Sequence, residues 1–135
     1  MSVTLTDQDK STLRTAAYGA VALMAAADAT GKPGKVAAEG SVALTAATGV
    51  VGHVLAEYPK DSDLGGRSVA DLADRVLPNL TAAMALLKKQ DQTEADSYRT
   101  AVLVAVETAA RATKGQPGPV LVDMNRKITE ALDAA

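Results

Sequence analysis

The 135-residue sequence contains no cysteine, phenylalanine or tryptophan, and only three tyrosines. Without cysteine the chain has no disulfide framework, no thiolate nucleophile and no thiolate ligand for a metal. With so few aromatic rings it offers no stacking platform for bases or single strands. Because aromatic side chains usually supply much of a buried core, this core must be built from smaller apolar side chains.

The sequence also lacks any concentration of positive charge, with 14 lysines and arginines against 16 aspartates and glutamates. The longest basic runs are two pairs, Lys88-Lys89 and Arg126-Lys127. A protein that follows a nucleic-acid groove usually carries a basic stripe. We therefore expect no nucleic-acid partner.

Long uninterrupted apolar runs are missing too, although the segments 16–27 and 36–58 come near the character of a membrane span. The first is shorter than the roughly 20 residues that a spanning helix needs. The second is long enough, but Glu39, His53 and several Thr, Ser and Gly residues dilute it. We predict a buried central helix there and no membrane span. Asp7 and Asp9 differ from the basic start of a secretory signal, so none is expected.

Alanine is abundant, and it has the highest helix propensity. Apolar residues recur every three or four positions, which is the helical period, and Gly and Pro separate these segments. No segment shows the sustained alternation of a strand. The sequence therefore predicts one all-α domain over residues 1–135: a compact antiparallel bundle of five to six helices around a central apolar helix rich in Ala and Gly.

Capping residues and helix breakers give the predicted boundaries. Thr6 and Asp9 have the spacing of a capping box before the first helix. Ser68 is a second predicted N-cap, and Pro78 is expected to kink or break the helix that Ser68 begins, with a joint near Leu77. The predicted helices span 7–29, 35–58, 68–77, 78–89, and from a cap at Asp91 or Thr93 to Lys114, with a sixth that directs Leu121, Met124, Ile128 and Leu132 inward.

Small residues lie on more than one side of the predicted second helix, namely Gly40, Ala43, Ala46, Ala47, Gly49 and Gly52. Glycine inside a helix costs about 0.5–1 kcal/mol relative to alanine, so some contact should offset it. The expected contact is close packing by the first and fifth helices. The alternative is a small-residue face that admits a ligand or a second subunit.

His53 is the only histidine, and with Glu57 it has the i, i+4 spacing of one helix face; Glu39 precedes it on roughly the same side. A carboxylate–imidazole pair can act in acid–base catalysis or hold a metal. The alternative is a structural histidine near the end of a buried helix, favoured by the helix dipole. We name His53, Glu57 and Glu39 as candidates for a polar site and assign no catalytic residue, metal ligand or cofactor.

Four stretches, LRTAAYGAVALMAAAD, ATGVVGHVL, VLPNLTAA and DSYRTAVLVAVETAARATKG, resemble small helical proteins of mycobacteria and related actinobacteria. That resemblance implies a bacterial protein and carries no activity or site residue. A second resemblance, to the TerB-like helical fold of tellurite-resistance proteins, rests on AAADATGKPGKVAAE, which places Asp28 and Glu39 at comparable positions. In this chain Ala29 and Thr30 stand before Gly31 and lengthen the turn.

These observations favour a non-enzymatic role without settling whether the protein is an enzyme. We expect an interaction or scaffold module of the bacterial cytoplasm that associates with itself, through an Ala/Gly face, or with a protein partner. The alternative is a protein that binds a small apolar or lipid-like ligand between its helices. A hydrolase or metal site on His53, Glu57 and Glu39 is a third hypothesis.

Overall fold

The computed structural model of the chain describes residues 4–27, 33–57, 68–111 and 118–135. These residues form helices and connecting turns but no strand. The all-α bundle is confirmed, since the buried faces of all its helices meet in one core. The helices are α1 (Asp7–Ala27), α2 (Pro33–Thr45), α3 (Gly49–Leu55), α4 (Val69–Gln90), α5 (Gln92–Arg111) and α6 (Pro119–Asp133).

Helix α1 is the centre of the bundle: like α5 it packs against each of the other five helices, and it is the more completely buried of the two. Its amino terminus has the predicted capping box: Asp9 N donates to Thr6 Oγ1 (3.0 Å), and Thr6 N donates to Asp9 Oδ2 (3.1 Å). Between Ala16 and Ala25 nearly every residue is buried. A helix that is apolar on all sides belongs inside a core, so α1 holds the central position that was predicted for the segment 35–58.

The prediction of one central helix over 35–58 is wrong, because this segment forms two helices, α2 and α3. A turn at Ala46–Thr48 separates them, and Gly49 follows with φ of 74°, a left-handed conformation that glycine adopts without strain. The side chains of Val42 and Val50 are exposed, whereas Val54 is buried. Helix α2 therefore packs one face against α1 and α5 and leaves its outer face open.

The predicted break at Pro78 is also wrong, since α4 continues through it to Gln90. Pro78 is exposed, so the carbonyl that loses its helical hydrogen bond lies on the solvent side, where water can replace the missing donor. The predicted cap at Ser68 is confirmed, because Asp71 N donates to Ser68 Oγ over 3.2 Å.

Two contacts show how neighbouring helices are oriented. Thr4 N, just before α1, donates to Gln90 Oε1 at the end of α4. Arg99, in the first half of α5, pairs with Asp133 at the end of α6 through two hydrogen bonds of 2.7 and 3.2 Å. In both helix pairs the first part of one helix lies beside the end of the other, as the predicted antiparallel arrangement requires.

Tyr98 carries a hydroxyl into the core, where its side chain is fully buried. The hydroxyl donates to Leu13 O on α1 over 2.8 Å. Burial raises the pKa of Tyr98 well above its usual value, because the phenolate would lose its hydration. This hydrogen bond joins α5 to the centre of the bundle while the hydroxyl remains protonated.

Replacing Tyr98 with Phe should make the protein less sensitive to alkaline pH. Because the pKa is higher in the folded than in the unfolded state, the unfolded chain ionises first, and the free energy of unfolding falls as pH rises above about 10. Tyr98→Phe removes this contribution and costs about 1 kcal/mol at neutral pH through the lost hydrogen bond. Chemical denaturation over a pH series checks both effects. Equal alkaline slopes in the two proteins would contradict the expectation.

Gly52 in α3 should tolerate no side chain, because a Cβ built there collides with the carbonyl group of Ala47. We expect Gly52→Ala to lower the free energy of unfolding by about 1–3 kcal/mol, although alanine is the better helix former. Gly34 in α2 is the matched control, since nothing lies within 4 Å of its Cβ position. Gly34→Ala should be neutral or stabilising by up to about 1 kcal/mol in the same denaturation experiment.

Candidate functional site

The most distinctive surface of the molecule is the outer side of the helix pair α2 and α5. Residues spaced four apart on a helix share one face, and such spacing places a stripe of mostly small or apolar residues on each of the two helices, with one carboxylate on each, Glu39 on α2 and Asp96 on α5. We call the two stripes together, without these carboxylates, the α2–α5 face. Its residues are Ala38, Val42, Ala43, Ala46, Ala47, Ser97, Thr100, Ala101, Val104 and Thr108.

One end of this face contains an open cavity of about 430 Å³, which we call the hollow. Ala43 at the end of α2 and Ala46 and Ala47 in the turn that follows form one wall of the hollow. The hydroxyl-bearing residues Thr48, Thr93, Ser97 and Thr100 give it a polar edge. Asp96 contributes a carboxylate, whose Oδ1 accepts a hydrogen bond from Gln92 Nε2 over 2.9 Å. The hollow offers small apolar walls and hydroxyl groups to whatever enters it.

Val42 and Val104 stand out from the middle of the α2–α5 face. Their exposed fractions are 68% and 48%, which is high for large apolar side chains. A second open depression, of about 340 Å³, lies beyond Val42 and is lined by Ala38, Glu39 and Thr108. The face is therefore a pair of projecting valines with a depression on either side.

The small residues of the segment 35–58 divide between the two roles considered for them. Gly40 allows close packing, because a Cβ there would lie 2.7 Å from Val21 Cγ1 and 3.3 Å from Ala109 Cβ. Gly52 allows the turn at Ala47 to approach α3. Only Gly40 thus packs against α1 and α5 as expected, whereas Gly52 meets the turn, Gly49 takes its left-handed conformation, and the alanines at 43, 46 and 47 form the open wall of the hollow.

Helix α3 borders this region and is held at both ends by side chains from other helices. At its amino end, Val51 N donates to Glu94 Oε1 over 3.2 Å, and both carboxylate oxygens lie 3.6 Å from the Cβ position of Gly49. At its carboxyl end, Arg14 Nε donates to Val54 O (2.8 Å) and Tyr18 OH donates to Leu55 O (2.7 Å). Each charge has the sign that the helix dipole favours at that end.

The structure does not bring His53, Glu57 and Glu39 together as one polar site. His53 lies in the last turn of α3, near the end of a helix as the structural alternative expected, but on the exposed side of that helix. Helix α3 ends at Leu55, and the Glu57 carboxylate beyond it pairs with Arg14, with 3.2 Å between Oε2 and Nη2. The premise that His53 and Glu57 share a helix face is therefore wrong.

Glu39 is exposed on α2 and lies beside Thr108. Thr108 is roughly 20 Å along α5 from Glu94, which contacts the start of α3. Nowhere in the described ranges do three or more His, Cys, Asp or Glu side chains lie together as metal ligands would. Asp28, paired with Glu39 in the TerB-like resemblance, lies outside the described residues.

The carboxyl groups with clearly shifted pKa values lie on α6, away from the hollow. A hydrogen bond from Arg99 lowers the pKa of Asp133, and hydrogen bonds from Arg126 and Lys127 lower that of Asp123. All of these groups are exposed, and their partners account for the shifts. Such ion pairs on an open surface stabilise helices and do not mark an acid–base site.

No family model matches this chain, and no curated protein or solved structure is significantly similar to it. The resemblances to actinobacterial helical proteins and to the TerB-like fold therefore stay predictions. None of the helices in the described part of the chain combines the length and the apolar character needed to cross a membrane.

Arg14 should matter more for stability than its ion-pair partner Glu57. Arg14 is only 21% exposed and caps the end of α3, whereas Glu57 is 60% exposed. We expect Arg14→Met to cost about 1–2 kcal/mol, because it leaves the Val54 carbonyl without its charged donor. Glu57→Gln should cost less than about 0.5 kcal/mol, as exposed ion pairs usually do. Urea denaturation of both variants makes the comparison, and a larger loss in Glu57→Gln would contradict it.

Proposed function

We propose that this protein is a non-enzymatic interaction module whose partner is a second copy of the same chain, bound through the α2–α5 face. The observation that carries the proposal is the exposure of Val42 and Val104 among the eight other residues of the face, which are small or uncharged and are bordered by Glu39 and Asp96. A cytoplasmic location is part of the proposal and is supported by the absence of cysteine.

Burial of the valine pair is the favourable step in the proposed association. Apolar surface contributes about 25 cal/mol per Å² when it leaves water, and the binding energy of an interface concentrates in a few central, fully desolvated contacts. A twofold interface uses the same face of both copies, so Val42 and Val104 of both copies leave water together. The hollow next to them has the shape to receive projecting side chains from the other copy.

The charges at the two ends of the face favour a second copy over an unrelated partner. Lys35 lies on the same stripe of α2 as Val42, towards the amino end of the helix, and Asp96 lies in the hollow at the opposite end. A twofold axis near Val42 places Lys35 of each copy opposite Asp96 of the other. Glu39, one turn from Lys35, then approaches the hydroxyl groups of the hollow. Such self-complementarity is what a twofold interface requires.

Replacing both central valines should abolish self-association. We expect the double variant Val42→Lys, Val104→Lys to weaken association at least about tenfold, because it buries charge at the centre of the interface. Sedimentation equilibrium from micromolar to millimolar protein measures the change. The matched control is Val120→Lys, Val122→Lys on α6, whose valines are 59% and 57% exposed. The control should associate like the wild type.

Charge reversal tests the twofold arrangement itself. Lys35→Glu and Asp96→Lys should each weaken association, because each places like charges opposite one another. The double variant should restore association, because the two positions again carry opposite charges. A wild-type protein that stays monomeric at millimolar concentration would refute self-association. If the two valine substitutions weaken association but the charge-reversed double variant does not restore it, the two copies associate in a different orientation.

A small apolar or lipid-like ligand is the second candidate function, and the volume of the hollow favours it. Ligand pockets commonly measure about 300–1,000 Å³, and the hollow falls within this range at about 430 Å³. Ala46→Leu would fill its wall with a larger apolar side chain. If a fluorescent apolar probe binds the wild type and Ala46→Leu excludes it while association persists, the hollow acts as a ligand site.

A further inference from the structure

Helix α3 depends on other parts of the chain for its stability. It has seven residues, and isolated helices shorter than about 12 residues are marginal in water. The side chain of its N-cap residue, Thr48, makes no capping hydrogen bond. Two of its seven positions are Gly49 and Gly52, which lower helix propensity further. Its helical form therefore follows from contacts with α1 and α5.

Those contacts are of two kinds, and the polar ones lie at the two ends of the helix. Val51, Val54 and Leu55 are buried against the bundle and supply the apolar contact. Glu94 supplies the missing amino-terminal cap, and Arg14 with Tyr18 binds the carboxyl-terminal carbonyls. Because ionised caps bind these backbone groups about twice as strongly as neutral ones, their charges contribute directly to holding α3 closed.

We propose that α3 is a latch: it opens from the bundle as one unit, with Glu94 and Arg14 setting how often it opens. Local opening units of this kind have lower free energies than global unfolding. The other helices are long enough, and buried enough, to remain in place when the latch opens. The interior contact between Tyr98 and Leu13 connects α5 to α1 independently of α3.

The latch also controls the shape of the hollow, and this second part rests on the proposed function. The turn between α2 and α3, which includes Ala46, Ala47 and Thr48, forms one wall of the hollow and continues directly into α3. On α5, Glu94 adjoins Thr93 in the opposite wall. A copy bound in the hollow therefore favours the closed latch, and a closed latch favours binding, since coupling between two sites is reciprocal.

Hydrogen exchange measured amide by amide tests the latch on the monomeric protein. We expect Glu94→Gln to reduce the protection of the amides from Val51 to Leu55 by roughly fivefold, because the charge of the cap is lost. In the wild type these amides should already be less protected than the core amides of α1 and α4, which exchange only through global unfolding. Glu107→Gln is the matched control, because Glu107 is an exposed carboxylate of the same helix, paired with Arg111 outside the latch.

Arg14→Met provides the same measurement at the other end of α3 and should increase exchange over the same amides. Circular dichroism confirms that each variant is folded before exchange is compared. Equal opening free energies for the amides of α1, α3 and α4 in the wild type would overturn the proposal, since α3 would then open only with global unfolding. Unchanged protection of α3 in both variants would overturn it too.

The coupling has a separate readout in the self-association constant. Glu94 is absent from the α2–α5 face, so a several-fold weaker association of Glu94→Gln would have to act through the latch. Unchanged association despite faster exchange of α3 would refute the coupling and leave the latch standing. If the wild type proves monomeric, the proposed function fails, while the exchange experiment still decides whether α3 opens alone.

Discussion

The close approach of neighbouring helices to α1 is the constraint on which the rest of the structure depends. With no phenylalanine or tryptophan to fill space, backbones must come near one another for the core to pack at normal density. Gly19 of α1 brings Val76 so close that a Cβ would lie 2.6 Å from its Cγ2. Because α1 is enclosed by the other five helices, α2 lies at the outside of the bundle and keeps its outer face in solvent.

The sequence predicts the helices well wherever local signals decide them. The caps at Thr6 and Ser68 depend on residues three positions away, and both form as predicted. The inward residues of α6 follow from periodicity, and the four predicted ones are all buried. Local signals do not decide which helix is central, because segments 16–27 and 36–58 are both rich in Ala and other apolar residues. Only packing against the whole bundle decides which one is enclosed. Thr48 followed by Gly49 was the one local signal of the break between α2 and α3.

The candidate site was less predictable, since its parts come from distant positions. Glu94 and Arg14 cap a helix from positions far along the chain, and no spacing rule connects them to it. His53 and Glu57 look like one helical pair only if α3 continues past Leu55, and α3 ends where Arg14 and Tyr18 bind its carbonyls. Val42 and Val104 form a surface because α1 takes the centre. Their exposure therefore depends on the outcome of packing.

Helix α5 connects these features, because three of its sides have separate tasks. Tyr98 faces α1 and joins the core, Glu94 reaches the start of α3, and Val104 stands in the α2–α5 face. Tyr98 fixes α5 on its inner side, so Glu94 and Val104 keep their positions relative to α1. Movement at the start of α3 therefore reaches the hollow through the turn at Ala46–Thr48, while α5 remains a rigid reference. Because α5 is held to α1 by a contact that does not involve α3, a local opening of α3 is compatible with an intact bundle.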